Sequence, residues 1–522
     1  MIKSKLFTSE DGKSLLVPFI LVSSLFLLWG FCNGMIDVMD KHFQGVLHLT
    51  LAQSAWVQFA HYLGYFLMAM PAGWLASKLG YKGGIIAGLL MVAIGGFWFI
   101  PATKIATFPA FLLGVCIIAS GLTFLETVAN PYTTVLGPKR FAATRINLAQ
   151  SCNGIGWIFG PIAGAKFFYG QDAAGVNTGS ETLWIPYAAV GGFVLVLAVI
   201  FFFSNLPEIT SKDELQLDDS DEITSNARPV NRTTALSLLW INIAVLSVAI
   251  GMIVSAIVAI PAVGLKLGIN ENQALWYASG ILLAIGSAVF FMTHAKVKSH
   301  SIWSQPHFSA ATLTQFFYVA AQCGIFAYFI NYMTSQIPAF PDSWKSGSFG
   351  AWFEINKNGI LGLSDNGASN LASGGFFFFL LGRLIGAGLL KKYPAHKVLS
   401  TFACLAAASS LLVFLKLGWL SAIALFLSYF FMSIMFPTIF SLGIHGLGSQ
   451  AKKASSFIVM AIMGGAIMPK LMGHIADTDK NGMSAAFIVP LVCFGCVACY
   501  GFFWTKLSGS KGLVAIAPTK NH

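Results

Sequence analysis

The chain has 522 residues, 56% of them hydrophobic and only 10% charged, against roughly 25% charged in an ordinary soluble domain. That composition excludes a soluble globule and, at about 20 apolar residues per crossing, supplies roughly 14 membrane helices. The formal net charge of +11 is spread in short Lys and Arg runs between apolar stretches, which argues for membrane topology and against nucleic-acid binding.

Apolar runs bounded by charge, Gly or Pro predict spans at 16–38, 52–76, 83–101, 108–129, 146–169, 184–204 and 235–262. Further spans are expected at 273–294, 308–335, 370–390, 396–416, 418–443, 454–476 and 483–506. The expected fold class is an all-α polytopic membrane protein with about 14 transmembrane helices. Lys3, Lys5 and Lys13 precede the first span, which is too long for a signal-peptide core and has no small-residue cleavage site after it, so it reads as a retained helix. With the N-terminus inside, inner segments collect Lys78, Lys82, Lys139, Arg140, Arg145, Lys296, Lys298, Lys391, Lys392, Lys397, Lys452 and Lys453. Outer loops hold only Lys41, Lys104, Lys266, Lys345, Lys357, Lys416 and Lys480, so both termini are expected in the cytoplasm. All eight cysteines fall in apolar runs, which leaves no disulfide framework outside the membrane.

A weak repeat runs through the chain. Gly73 opens GWLASKLGYK and Gly388 opens GLLKKYPAHK, each reaching a lysine nine residues on, Lys82 or Lys397. Pro131 and Pro437 each precede, by 19 residues, a polar residue early in the next span, Gln150 or Ser456. Two homologous halves explain this, and parallel six-span repeats are the pattern of major facilitator transporters. The expected organisation is an N-terminal six-helix half at 1–206, an acidic cytoplasmic linker at 207–234, an inserted transmembrane pair at 235–305 and a C-terminal six-helix half at 306–522 with an outer loop at 336–369.

Enzyme signatures are absent: there is no H-E-x-x-H, no G-x-S-x-G and no dinucleotide fingerprint. Gly12-Lys13-Ser14 lacks the first glycine and preceding strand of a phosphate loop, so ATP-driven transport is unsupported. Cys493, Cys496 and Cys499 keep a three-residue spacing but lack the fourth ligand and proline of an iron–sulfur run, and read as a small-residue packing face. No metal and no organic cofactor is expected.

The informative residues are ionisable groups inside apolar spans, which are costly unless they face a polar cavity. Two acids qualify clearly, Asp37 in the first span and Glu126 in the fourth. A carboxyl removed from water can exchange protons near neutral pH and so act as a coupling site. The plain alternatives are a hydrated helix end for Asp37 and an amide partner for Glu126. Amides and rings also recur on apolar helices: Asn33, Gln58, His61, Asn130, Gln150, Asn153, Gln315, Gln322 and Asn331, with Trp29, Tyr62, Tyr65, Phe326 and Tyr328. Amides both donate and accept and rings stack on the apolar face of a sugar, so the set suits a hydroxyl-rich neutral ligand. Interhelical hydrogen bonds and lipid-facing rings are the alternative for any one of them.

With these residues in place, the chain resembles the L-fucose proton symporter group of the major facilitator superfamily. The carrying segments are LFLLWGFCNGMID (25–37), VQFAHYLGYFLMAMPAGWLASKLGYKGGIIAGL (57–89), GLTFLETVANPYTTVLGP (121–138), RINLAQSCN (145–153), FMSIMFPTIFSLGI (431–444) and SSFIVMAIMGGAI (455–467). The resemblance implies a major facilitator fold of two six-helix halves, in the cytoplasmic (inner) membrane of a bacterium. It implies that Asp37 and Glu126 serve sugar recognition and proton coupling, and that Asn33, Gln58, Asn130, Gln150 and Asn153 line a central sugar cavity. Gln315 and Gln322 are the candidates from the second half. The stretch holding Gly73, Lys78, Gly80 and Lys82 marks the superfamily alone and is the candidate for conformational gating. Two positions depart from the group: Ile36 stands where relatives carry Asn, and Asp40-Lys41 where they carry a proline.

The expected function is import of a neutral monosaccharide or amino sugar with protons, by alternating access, with sodium as the alternative coupling ion. The partners are then a small sugar and the lipid bilayer. One feature points elsewhere. Gly156, Gly160, Pro161 and Gly164 look like the glycine-proline motif of drug:proton antiporters, some of which have fourteen spans. Glycines at that spacing also simply allow close helix packing, and the longer segments favour sugar. A membrane sensor on a transporter scaffold is the third reading.

Overall fold

The computed structural model describes residues 7, 14–136, 142–169, 179–204, 206, 232–258, 268–296, 301–345, 350–355, 361–390, 393–445, 447, 451–480 and 482–509. Residues 207–231 of the expected linker lie outside the described residues, as do Lys3, Lys5, Gly12, Lys13, Lys139, Arg140, Lys266, Lys298, Lys357, Lys391 and Lys392.

Among the described residues twelve helices are long and apolar enough to cross a membrane. The two remaining expected spans are also helical: 56–79, the first part of Trp56–Ile105, and Ala142–Phe168. Gln58 and His61 dilute the apolar character of the first, and Arg145, Asn147, Gln150 and Asn153 that of the second. In the first half the crossing helices are Leu16–Val46, Trp56–Ile105 (two crossings), Phe108–Val135, Ala142–Phe168 and Trp184–Phe203. The inserted pair is Arg232–Val258 and Glu271–Thr293. The second half begins with Pro306–Ser335, Asp365–Leu390 and Ala395–Phe414. It continues with Trp419–Met432 and Met435–Ile444 as one crossing, Ala451–Met460 and Gly464–Thr478 around a 3-10 turn as another, and Ile488–Ser508 as the last.

Some boundaries differ from expectation for physical reasons. The gap expected between 76 and 83 contracts to Gly80, whose φ of 71° and ψ of 179° interrupt an otherwise continuous 50-residue helix. Only glycine takes that backbone without strain. The helix expected to begin at 370 begins at Asp365, and the segment before it holds an antiparallel pair, Phe353–Ile355 with Leu361–Leu363. Strands of three residues show no alternation long enough to read in a sequence.

Close packing of the first and fifth spans explains the glycine series. A Cβ on Gly156 would stand 2.1 Å from the Leu27 carbonyl oxygen, and one on Gly160 2.7 Å from the Gly34 Cα. Backbones approach this closely only where glycines face each other, so the motif in this chain serves helix packing. Elsewhere in the same half, Phe99 and Tyr187 stack at 3.9 Å and lock the third span to the sixth.

The two halves meet along the fifth span and the helix Asp365–Leu390. Ser369 donates to the Pro161 carbonyl at 3.0 Å, and Arg383 to the Gln150 carbonyl at 3.3 Å. Near the C-terminal end of the first span, Asn331 Nδ2 donates to Gln44 Oε1 at 2.6 Å, the Leu51 amide to Asp477 at 3.1 Å, and Lys41 pairs with Asp365 at 3.6 Å. The inserted helix Arg232–Val258 lies across the seam. Ala249 packs in one apolar cluster with Phe316, Ala461 and Ile467, and Phe59 and Phe66 of the first half close on it. Its partner helix is joined through Trp240 donating to Ser287 at 3.1 Å and turns most of its surface outward.

Candidate functional site: the central cavity

Between the halves lies a void of about 10 Å³, room for roughly one water. Asn33, Ile36 and Asp37 line it from the first span, Gln58, His61 and Tyr62 from the second, and Trp157 from the fifth. Cys323 and Phe326 close it from the second half. The first span places Asn33 and Asp37 four residues apart, one helical turn, so both face inward together.

The polar floor is built from short links. Gln58 Nε2 donates to Asp37 Oδ1 at 2.5 Å, and the Cys323 thiol to the Tyr62 hydroxyl at 2.7 Å across the seam between halves. His61 lies edge-on to Tyr62 at 4.9 Å and tilted against Tyr65 at 5.1 Å. Trp29 donates its indole N–H to Tyr65. Among the described residues, Asn33 Oδ1 and His61 Nδ1 are buried without a hydrogen-bond partner. Two such groups on one small void mark a place where a polar ligand or water completes the bonding.

The opposite wall is aromatic. Trp157 sits 5.2 Å from Phe326 and 4.7 Å from Phe376, and Tyr429 packs 4.9 Å from Phe326 with its buried hydroxyl unpartnered. Amides and a carboxyl on one side with rings on the other are the surfaces that hold a pyranose by its hydroxyls and by its apolar face.

The remaining candidates stand outside this void. Glu126 is half-buried on the fourth span within electrostatic range of Tyr65 and is not among the residues that line the void. Asn153 donates to the Phe26 carbonyl at 3.2 Å and so ties the fifth span to the first. Gln150 is half-buried beside the seam, where its carbonyl takes the Arg383 contact. Gln315 is fully buried with neither amide atom hydrogen-bonded, and Gln322 is half-buried on the same helix. The surroundings of Asn130 and Gly73 lie outside the described residues. Of the gating candidates, Lys82 donates to the Ser204 carbonyl at 3.0 Å, capping the end of the sixth span, and Lys78 lies 4.1 Å over the Trp74 ring. With Gly80 they join spans within the first half.

Sequence reasoning passed over Trp157, Phe376, Tyr429 and Arg383. The rings look like ordinary core. Arg383 did carry a signal, since a lone arginine interrupts the apolar run FFFFLLGRLIGAG. Its guanidinium lies 4.9 Å over Phe379 and bonds backbone carbonyls of both halves.

The family model of the Major Facilitator Superfamily matches residues 18–323. The chain belongs to that superfamily. A major facilitator protein of this kind is a transporter and not an enzyme. The chain is 33% identical over 493 residues to the L-fucose-proton symporter of Escherichia coli, with 94% of each chain covered. It is 27% identical over 483 residues to a glucose/galactose transporter of Brucella abortus, with 92% of each covered. A crystal structure of the transporter FucP in the outward conformation is 30% identical, covers 94% of this chain and 99% of that one, and superposes with a TM-score of 0.58. The sugar-symporter group recognised in the sequence is thus the group in which the relatives fall, and the drug antiporter reading has no such relative behind it.

Proposed function

We propose that this major facilitator protein imports a neutral monosaccharide or amino sugar together with protons, by alternating access around the central cavity. The observation that carries the reading is Asp37, a buried carboxyl at the void whose hydrogen bond comes from a neutral amide, Gln58, and not from a cation. A carboxyl so placed can take up and release a proton as the site changes sides. Relatives named as fucose-proton symporters and glucose/galactose transporters support a sugar as cargo.

In this reading Asp37 and Glu126 couple protons to sugar, while Asn33, Gln58, Glu126, Asn130, Gln150, Asn153, Gln315 and Gln322 contact the sugar in one or another state. Gly73, Lys78, Gly80 and Lys82 serve gating. The void as it stands is far smaller than a hexose, so sugar enters only when the halves part. The polar ties among Gln44, Asn331, Leu51 and Asp477 are the contacts that open on the outer side. One proton moving inward contributes roughly 2.3 kcal/mol per 100 mV, which drives uphill uptake. Both termini face the cytoplasm of a bacterial cell in this account, and the proton is the coupling ion.

The testing experiment is counterflow of a labelled sugar panel in proteoliposomes, with and without a pH gradient and with sodium present or absent. Exchange of a monosaccharide that becomes accumulation under a proton gradient supports the reading. Accumulation that follows sodium in its place overturns the proton assignment.

A further inference from the structure

One buried acid is left unused by that mechanism. Asp40 is fully buried, three residues beyond Asp37 on the first span and on the side away from the cytoplasm. Residues three apart on a helix share a face, with Cβ atoms roughly 5–6 Å apart. Gln44 and Ser54 flank the Asp40 carboxyl, but Gln44 Nε2 donates to Ser54 Oγ at 2.9 Å and the Ser54 hydroxyl to the Leu51 carbonyl at 3.0 Å. Among the described residues none gives either Asp40 oxygen a hydrogen bond of ordinary geometry. A carboxyl buried in this way needs a proton, a water or a cation to be stable.

The nearest cation is engaged elsewhere. Lys41 reaches Asp365 at 3.6 Å, at the outer end of the second half. On its own helix Asp40 also neighbours Asp37 and His42. From the other elements Tyr169, beyond the fifth span, and Tyr328, on Pro306–Ser335, come within electrostatic range of it, with Asp365 and Asp477 behind them. Gln44, beside Asp40, is the residue that Asn331 holds in the outer closure. Asp40 therefore stands between the outer gate and the carboxyl at the cavity.

We propose that Asp40 is a relay carboxyl that passes protons between the outer gate and Asp37, a role that rests on the proton-coupled reading above. In the step, the O–H bond of protonated Asp40 breaks as an O–H bond forms on the Asp37 carboxylate, directly or through one water. The negative charge moves from Asp37 to Asp40, and Asp40 takes a fresh proton from outer water when the Gln44–Asn331 contact opens. Proton and charge balance with no other reactant.

The test compares wild type, Asp40→Asn, Asp40→Leu and Asp40→Glu in proteoliposomes, using a sugar the wild type accumulates. Counterflow at equal pH reads sugar exchange, and accumulation across a range of outside pH reads coupling. Asn and Leu should keep counterflow within a few-fold and lose at least 10-fold of pH-driven accumulation, with a changed pH profile, while Glu restores both. Leu guards against misfolding of the Asn variant, since an apolar side chain suits a buried position without donors. A coupled wild type with Asn and Leu variants that accumulate equally well, on an unchanged pH profile, overturns the relay alone. A wild type that exchanges sugar but never accumulates it on a proton gradient overturns the relay and the coupled reading together.

Discussion

Asp37 and Gln58 stand on different spans of the first half, and the 2.5 Å bond between them is made inside the central cavity. Glu126 is not among the residues that line the void and lies within electrostatic range of Tyr65. The two acids therefore sit in different surroundings and should separate under mutation.

Asp37→Asn imitates the protonated acid and keeps a partner for Gln58. It should retain sugar exchange at equal concentrations, while accumulation driven by a pH gradient falls to equality. Glu126→Gln removes a strong acceptor, and one charge-assisted hydrogen bond is worth roughly 1.5–3 kcal/mol, or about 10- to 150-fold in affinity. Equilibrium binding and counterflow of both variants check this. Equal and complete loss of exchange in both, with normal folding, would show that the acids act as one unit.

Helix packing gives a sharper stability test. A Cβ at Gly156 would meet backbone, the Leu27 oxygen at 2.1 Å and the Phe31 nitrogen at 2.6 Å, whereas one at Gly495 meets nothing within 4 Å. Gly156→Ala should lower thermal stability in detergent by about 1–3 kcal/mol. Gly495→Ala should leave it unchanged or raise it by up to about 1 kcal/mol. Thermal unfolding of the two variants side by side decides the matter, and equal Tm values would contradict the first-to-fifth span contact.

The outer closure has its own reporter. The Tyr328 hydroxyl lies 2.9 Å from the carbonyls of both Leu51 and Pro469, and Cys323 sits at the cavity. Tyr328→Phe removes about 1 kcal/mol of closing interaction, roughly a five-fold shift toward states open to the outside. Maleimide labelling of Cys323, read by mass spectrometry, should rise by that order and fall again when sugar is present. Labelling that ignores both changes would mean that Cys323 is not in the transport path.

Among its described residues the inserted pair contributes none to the lining of the void, but Arg232–Val258 packs on both halves at the seam. Deleting both helices, with the linker rejoined, should lower the amount and stability of folded protein more than the sugar affinity. A folded deletion variant with binding abolished would place the pair inside the mechanism.

Much of this was legible in the residues, for a definite reason. Asn33, Asp37 and Gln58 stand out because a polar group in an apolar span must find a cavity or a partner. Glu126, Asn153 and Gln150 gave the same signal, yet none of them lines the void, because sequence tells that a group is polar but not which neighbour it meets. Trp157, Phe376 and Tyr429 look no different from core aromatics until the two halves are brought together. Asp40 falls beyond the expected end of the first span at 38 and stands out only with Lys41, as a departure from the group's proline; helix Leu16–Val46 runs on past it and buries it fully.

The most direct measurement is proton movement itself, followed with a pH-sensitive dye inside proteoliposomes when sugar is added outside without an imposed gradient. The account predicts acidification of the interior that starts with a monosaccharide, scales with its uptake and is absent in Asp37→Asn. Monosaccharide uptake with no change in internal pH, or proton-dependent efflux of a lipophilic cation with no sugar exchange, would contradict it.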